Sequence, residues 1–348
     1  MFQANLVLSH HRTLQNVYRL HSGSITDLDT ISKFLKDTAT LIHILLHAAH
    51  RFKTQIAPND GETGIRMTTQ LASLPQGIGL FKLPSQLLNV LKNDVREIVN
   101  YRFALSSLVY FELKLRYHRS VLGFIWTLLH PLLMMTVIAT FFSHFMGRAV
   151  ENYALYLFSG MLPWSFFAST MTGCSQCLIQ SEGTIRKIYL PKLLFPISCT
   201  LTQFINLILS MTALFSLFVF LSAEIHWPLL MLPVGLVLLM CFSFGMGLLV
   251  ATLNTFYRDV AHILTVVIQA GYFATPIIYQ SEMVPERLQV LNKWNPMHLI
   301  LDIFQSAIYY SEFPSSTNLL RATAFALVAL ILGYATFKHY EPRFIFRL

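Results

Sequence analysis

The chain has 348 residues, of which 54% are hydrophobic and only 12% are charged, and its formal net charge is +8. Soluble domains carry about 25% charged residues, so this chain has too few charges to cover a water-facing surface. The composition therefore excludes an ordinary soluble enzyme. In a membrane protein the excess of cations marks the cytoplasmic side, so we do not predict nucleic acid as a partner.

The N-terminal part of the chain is polar and contains no apolar run long enough to cross a bilayer. It also lacks the hydrophobic stretch and small-residue cleavage site of a signal peptide. His43, His47 and His50 share a face of a possible helix, but no third type of ligand accompanies them, so we predict no metal site. We expect a poorly defined cytoplasmic extension over residues 1–83 and a transmembrane domain over residues 84–348.

Two amphipathic helices are predicted directly before the first apolar run. Each has an apolar stripe at helical spacing, with charged residues on its other faces. A basic amphipathic helix that continues into a membrane span is expected to lie in the plane of the inner leaflet; the alternative is a helix packed on a soluble domain. The two stripes consist of Leu87, Leu91, Val95 and Ile98, and of Leu108, Phe111, Leu115 and Leu122.

Six apolar runs contain no Asp, Glu, Lys or Arg and have lengths suited to membrane-spanning helices. We therefore predict an all-α integral membrane protein with six transmembrane helices, preceded by the amphipathic interfacial helix. The runs are Phe124–His144, Tyr153–Ile179, Ile197–Ser222, Pro228–Leu253, Val260–Tyr279 and Ala322–Phe337.

The cations of the connecting segments set the expected orientation. They concentrate before the first run, between the second and third runs, and after the sixth, which predicts that both termini are cytoplasmic. These cations are Lys92, Arg96, Arg102, Lys114, Arg116 and Arg119, then Arg186, Lys187 and Lys192, and finally Lys338, Arg343 and Arg347.

The connection between the fifth and sixth runs contains an apolar segment, His298–Tyr310, that is too short to cross a bilayer. It also contains Asp302. We predict a short re-entrant or interfacial helix on the outer side of the membrane.

The segment Ser181–Phe195, between the second and third runs, is a candidate for contact with an external source of energy. Its sequence predicts a compact helix that has an apolar edge and a basic edge and is bounded by proline. The alternative is an ordinary loop whose cations satisfy the positive-inside rule. The candidate coupling residues are Glu182, Arg186, Lys187, Tyr189 and Pro191.

Motifs for chemistry are missing from the sequence. There is no G-x-x-x-x-G-K-[ST] phosphate-binding loop, so we expect no ATP hydrolysis by this chain alone. The runs carry no acidic pair for catalysis and none of the Asp, Glu, Lys or Arg residues that ion-coupled transporters place at membrane depth. Among their histidines, His130 stands out because it lies beside Pro131 within the first run. We therefore predict no catalytic residue and no cofactor, and a transporter of this kind must be driven from outside.

Five blocks, in order, resemble the permeases of type-2 ABC exporters for polysaccharides, the family that exports O-antigen, capsule and teichoic acid. The resemblance extends from Lys92 to Leu348, and it departs from the family at His130, where we would expect asparagine before Pro131. The blocks are FELKLRYHRSVLGFIWTLLHPLL (Phe111–Leu133), GMLPWSFFASTMTG (Gly160–Gly173), GTIRKIYLPKLLFPIS (Gly183–Ser198), NTFYRDVAHILTVVIQAGYFATPIIY (Asn254–Tyr279) and LNKWNPMHLILDIFQSAIY (Leu291–Tyr309).

The resemblance implies a permease of the bacterial inner membrane that works as a homodimer with a separate nucleotide-binding subunit. ATP and Mg belong to that subunit, and the segment after Ser181 is its coupling helix. The short helices after the fifth span are implied to form an outer gate. The cargo is implied to be a polysaccharide, such as that of lipopolysaccharide or capsule, on polyprenyl pyrophosphate or another lipid.

A polysaccharide and its lipid anchor call for two different sets of residues. Aromatic rings suit the polymer because they contact sugar C–H faces with little directional cost; the alternative is that these rings face lipid or pack between helices. Cations at the headgroup level suit pyrophosphate or anionic lipids, and arginine binds phosphate groups bidentately. The path candidates are Trp164, Phe166, Phe167, Tyr272, Phe273 and Tyr279, and the headgroup candidates are Lys114, Arg116 and Arg119.

Two other functions stay open at this point. One is an ABC exporter of a drug or a small lipid, and the other is a membrane enzyme that acts on lipid-linked sugars. The enzyme would need acidic residues that the apolar runs lack. The sequence does not identify the polymer or its lipid anchor.

Overall fold

A computed structural model describes residues 83–117, 123, 125–145, 150–220, 226–285, 289, 292 and 294–348. Every regular element within these ranges is helical. Residues 1–82 of the predicted extension and the headgroup candidate Arg119 lie outside the described residues. The described residues belong to one compact unit, Lys82–Leu348.

The two predicted amphipathic helices are present as α1 (Leu83–Asn100) and α2 (Arg102–Tyr117). They form one nearly continuous rod, because Leu105 N–H donates to the Tyr101 carbonyl across the junction. Large apolar side chains of both helices remain exposed, such as Val95 of α1 and Leu115 of α2, as expected for helices whose apolar face meets lipid.

A helix lies over each of the six apolar runs. By length and hydropathy alone, three described helical segments are sufficient to cross a bilayer, namely Leu194–Phe215, Trp227–Phe256 and Ser316–Phe346. The six helices are α3 (Ile125–Phe145), α4 (Val150–Gln180), α6 (Leu194–Phe220), α7 (Leu232–Phe256), α8 (Val260–Ala274) and α10 (Ser316–Tyr340).

Helix α8 ends at Ala274, five residues before the predicted end of the fifth run. The cause is Pro276, which disfavours helical backbone at the residue before it, so Thr275 is extended (φ −102°, ψ 134°). Helix α4 provides hydrogen-bond donors for backbone carbonyls of the non-helical stretch that follows. The Tyr153 hydroxyl donates to the Ile278 carbonyl (2.7 Å), and the Tyr156 hydroxyl donates to the Tyr279 carbonyl (2.7 Å).

The short apolar segment of the last connection forms α9 (Pro296–Gln305), followed by a wide helical turn, Ser306–Tyr310. Asn295 caps α9, since its side-chain oxygen accepts from the backbone N–H of Met297 and His298. Most of α9 is buried against α4, α7 and α10. Helix α9 therefore packs into the helical bundle rather than lying on its surface.

Helices α7 and α10 form a close helix pair of the bundle. Their backbones meet at Gly245 and Gly333, where a Cβ atom on Gly333 would overlap the Gly245 carbonyl oxygen. Small residues allow this approach, which is typical of helix packing in membranes. The pair supports the core that also includes Leu239, Phe242 and Ala329.

Candidate functional site

A cavity of about 360 Å³ lies between α3, α4 and α6, and its lining is unusually polar for an apolar bundle. Apart from Arg116 of α2 and His130 of α3, the polar residues of the lining come from two stripes. On α6 they stand at i, i+3 and i+7, and on α4 at i and i+4, so each set shares one helix face. The stripe residues are Gln203, Asn206 and Ser210 on α6, and Ser165 and Ser169 on α4.

The α6 stripe runs for about 10 Å along the helix axis, since each residue adds about 1.5 Å. All three of its side chains are largely buried. The Asn206 side-chain N–H donates to the Gln203 side-chain oxygen (3.4 Å), and the Ser210 hydroxyl donates to the Asn206 backbone carbonyl. Buried polar groups in a bundle are costly and are retained where they bind each other or a polar ligand.

Arg116 stands at one end of this stripe, in the last turn of α2. Its guanidinium donates to the Gln203 side-chain oxygen at 3.2 Å, and Arg116 also lines the cavity. One turn earlier, Glu112 accepts a hydrogen bond of 3.1 Å from the Ser198 hydroxyl on α6. The two contacts join the amphipathic helix α2 to α6 and place a cation at the end of the polar stripe.

Among the predicted path aromatics, Phe166 lines this cavity together with Arg116. Trp164 instead packs against Phe167 and Tyr272, with ring centroids 5.6 and 5.9 Å apart. Phe167 in turn stacks on Phe242. These four rings form a separate packed cluster between α4, α7 and α8, and packing between helices is the alternative that the sequence left open.

The last two path candidates lie near the end of α8. Phe273 is exposed, and the Tyr279 hydroxyl donates to the Phe273 carbonyl at 2.9 Å. Neither lines the polar cavity. Of the headgroup candidates, Lys114 is exposed on α2, with its ammonium 5.8 Å from the centre of the Tyr110 ring.

The predicted coupling segment contains a six-residue helix, α5 (Glu182–Lys187), with no buried residue. Arg186 and Glu182 form an ion pair of 2.8 Å within it. The expectation that Pro191 ends this helix is wrong, because the chain becomes extended at Ile188. The Pro191 carbonyl instead accepts from the Leu194 N–H, so this proline opens the turn that leads into α6.

Tyr189 follows α5 and is 81% exposed. It shares a second cavity, of about 290 Å³, with Glu97 of α1 and with residues after α10. The structure therefore brings together α1, the coupling segment and the end of the chain.

A buried contact at this end of the bundle was not predicted from the sequence. Asp94 of α1 is 8% exposed and accepts hydrogen bonds from the Tyr334 hydroxyl (2.6 Å) and the Lys338 ammonium (2.9 Å). Lys338 also forms an ion pair with Glu341 at 2.9 Å. The amphipathic helix α1 is thereby fixed to the end of α10.

Lys192 extends the same network to the coupling segment, because its ammonium donates to the Glu341 backbone carbonyl at 2.7 Å. Partial burial lowers the pKa of Lys192, and the nearby carboxylate of Glu341 acts in the opposite direction. The polar network can hold these segments together. Among the described residues, no group of three or more His, Cys, Asp or Glu could hold a metal ion.

Comparison with known proteins agrees with a transport role for this arrangement. The chain is 29% identical over 251 residues to the O-antigen export system permease protein RfbA of Myxococcus xanthus, covering 72% of this chain and 95% of that protein. It is also 29% identical over 241 residues to RfbA of Klebsiella pneumoniae, covering 67% and 90%. The polysialic acid transport protein KpsM of Escherichia coli is 21% identical over 237 residues, covering 66% and 90%.

The model of the ABC-2 type transporter family matches residues 104–309, which is more than half of the chain. This range includes the polar cavity, the coupling segment and α9. The chain belongs to the ABC-2 type transporter family.

Proposed function

We propose that this chain is the permease subunit of an ABC exporter that moves a polysaccharide, on a lipid anchor, across the bacterial inner membrane. The observation that carries the proposal is the polar cavity between α3, α4 and α6. The names of the similar permeases, which refer to O-antigen export and polysialic acid transport, support the same cargo class.

The lining of the cavity matches a sugar better than an apolar cargo. Hydroxyl and amide side chains exchange hydrogen bonds with sugar hydroxyls, and Phe166 offers a ring to a sugar C–H face. An exporter of an apolar drug has no need for the polar stripe Gln203, Asn206 and Ser210. An enzyme on lipid-linked sugars needs an acid–base pair, and the lining contains no carboxylate.

Arg116 is suited to the lipid anchor rather than to the polymer. A polyprenyl pyrophosphate carries its negative charge at the headgroup level, where α2 ends, and a guanidinium binds such a group bidentately. Gln203 holds one N–H of Arg116 at 3.2 Å and so orients the guanidinium toward the cavity. Lys114, on the same helix, and Arg119, which follows the helix in the sequence, are proposed to add positive charge.

The energy for export is proposed to come from a separate nucleotide-binding subunit, which holds ATP and Mg. The exposed helix α5, with Arg186 and Lys187, and the exposed Tyr189 form the contact. In this arrangement the six helices span the membrane, both termini are cytoplasmic, α9 contributes to an outer gate, and two copies of the chain enclose the path.

Substitution of the polar stripe tests the proposed cargo path. Gln203→Leu with Asn206→Leu keeps the side-chain size and removes the hydrogen-bonding groups. Cells that carry this variant should accumulate lipid-linked glycan on the cytoplasmic side and display less glycan outside. Thr212→Leu, on an exposed face of the same helix, is the control. Normal glycan display by the double variant, at equal permease level, would contradict the proposed path.

A further inference from the structure

The last residues of the chain lie against the coupling segment. They form a short helix, Glu341–Phe346, directly after α10. Pro342 and Ile345 of this helix line the same cavity of about 290 Å³ as Tyr189 and Pro191. The two segments therefore form adjacent walls of one depression at the surface of the molecule.

The C-terminal helix is fixed in place by its own side chains. Phe344 is fully buried, and its ring lies 5.1 Å from the ring of Phe337 and 6.0 Å from that of Phe256. The Glu341 carbonyl accepts from Lys192 at 2.7 Å. A helix anchored at these two points presents its remaining side chains in a defined direction.

Two of those remaining side chains are large, apolar and exposed. Ile345 is 54% exposed and lines the depression together with the exposed Tyr189 of the coupling segment, and the following residue, Phe346, is 87% exposed. Contiguous exposed apolar groups of this kind mark interaction surfaces, and aromatic residues dominate the binding energy of protein interfaces.

The charges around the depression indicate the kind of partner. Lys187 of the coupling segment and Arg343 and Arg347 at the end of the chain are cations of these two segments, which favours a partner with carboxylates. Anionic lipid would also be attracted by these cations. The lining of the depression itself is balanced, however, because it combines the carboxylates of Glu97 and Glu341 with the ammonium groups of Lys192 and Lys338. Such a lining suits the mixed charges of a protein surface better than an anionic lipid headgroup.

We propose that the C-terminal helix and the coupling segment form one continuous docking surface for the nucleotide-binding subunit. The depression receives an apolar side chain of that subunit. Phe346 packs against the surface of the same subunit, and carboxylates of the subunit lie on either side of it. This proposal rests on the proposed function, and it adds the end of the chain to the coupling contact.

The test is a pair of substitutions in the full-length permease, co-expressed with the nucleotide-binding subunit that supports export. Ile345→Glu with Phe346→Glu should reduce the amount of that subunit that co-purifies with the permease at least about tenfold, because interface aromatics carry most of the affinity. Phe313→Glu, which changes a comparably exposed ring elsewhere, is the matched control and should leave co-purification unchanged. Permease level and thermal unfolding in detergent should be unchanged in both variants.

Tyr189→Glu, measured in parallel, separates this proposal from the proposed function. If Tyr189→Glu releases the nucleotide-binding subunit and the C-terminal variant does not, the extended docking surface is wrong and the proposed function stands. If the unaltered permease does not hold that subunit at all, the proposed function fails. If the C-terminal variant loses binding to vesicles with anionic lipid but keeps the subunit, the surface binds lipid and the proposal is overturned.

Discussion

The Tyr334 hydroxyl donates a hydrogen bond of 2.6 Å to the carboxylate of Asp94, which is 240 residues away in the sequence. The contact joins the amphipathic helix α1 to the last apolar helix, α10. It is strengthened by Lys338, one turn further along α10, which binds the other oxygen of the same carboxylate. A carboxylate that accepts two such bonds fixes the position of α1 relative to the bundle.

Removal of Asp94 should therefore destabilise the protein. Asp94→Ala leaves Tyr334 and Lys338 without this acceptor, and we expect a loss of about 1–3 kcal/mol in the free energy of unfolding. Tyr334→Phe should cost less, and the double variant should cost less than the sum of the two. Unfolding in detergent measures all three. Glu97→Ala, on the same helix, is the control, and additive effects would contradict the contact.

The close approach of α7 and α10 makes a second prediction for stability. Gly333→Ala places a methyl group against the Gly245 carbonyl and should destabilise the helix pair by about 3 kcal/mol or reduce the folded permease in the membrane. Gly183→Ala is the matched control, because nothing lies within 4 Å of a Cβ atom at that position. Equal folded amounts of the two variants would show that the helices do not pack at Gly333.

Topology can be read with reporter fusions. Fusions at Ala149, Ala223 and Ser315 should report an external location, and fusions at Glu182 and after Leu348 an internal one, since cations concentrate on the cytoplasmic side. An alkaline phosphatase and a fluorescent protein, used as complementary reporters at each site, give the measurement. An external C-terminus would refute the proposed six-span arrangement.

Arg116 in the last turn of α2 and Arg119, three residues later in the sequence, distinguish lipid anchoring from pyrophosphate binding. If they grip pyrophosphate, Arg116→Lys with Arg119→Lys should reduce export, because lysine keeps the charge and loses the bidentate geometry. If they only attract anionic lipids, at about 1 kcal/mol each, the variant should export normally. Surface glycan is the readout, with membrane level and binding of the nucleotide-binding subunit as controls.

The N-terminal extension lies outside the family match, and Met67 offers an alternative start. We expect a chain that begins at Met67 to insert into the membrane and support export. Complementation of a strain that lacks the gene, with membrane level measured by immunoblot, tests this expectation. Loss of export at a normal membrane level would assign a necessary role to the residues before Met67.

Much of the fold is visible in the sequence, because long charge-free runs have few structural solutions. The sequence predicts the end of α8 too late, because apolar residues continue past Ala274. The helix ends there because Pro276 disfavours helical backbone at the residue before it. The end of α5 differs from the prediction in another way. Pro191 is a typical helix terminator, but the helix ends before this residue.

The candidate site was predicted less completely. The stripe Gln203, Asn206 and Ser210 has helical spacing in the sequence. Its side chains are neutral, however, and neither charge nor aromatic character distinguishes them from other polar residues of the runs. Arg116 was identified from its charge, while its contact with Gln203 depends on how two distant helices pack. The Asp94 contact depends on tertiary structure in the same way, and no local pattern reveals it.

The break after α8 has a mechanical consequence. Two tyrosine hydroxyls of α4 donate hydrogen bonds to the carbonyls of Ile278 and Tyr279, so this short stretch is fixed to α4. Helix α8 itself has no buried residue and meets the stretch through the extended backbone at Thr275. Two contacts nevertheless bridge this break, because the Tyr279 hydroxyl donates to the Phe273 carbonyl of α8 and the Tyr272 ring packs on Trp164 of α4. Helix α4 therefore fixes the direction in which the chain leaves α8.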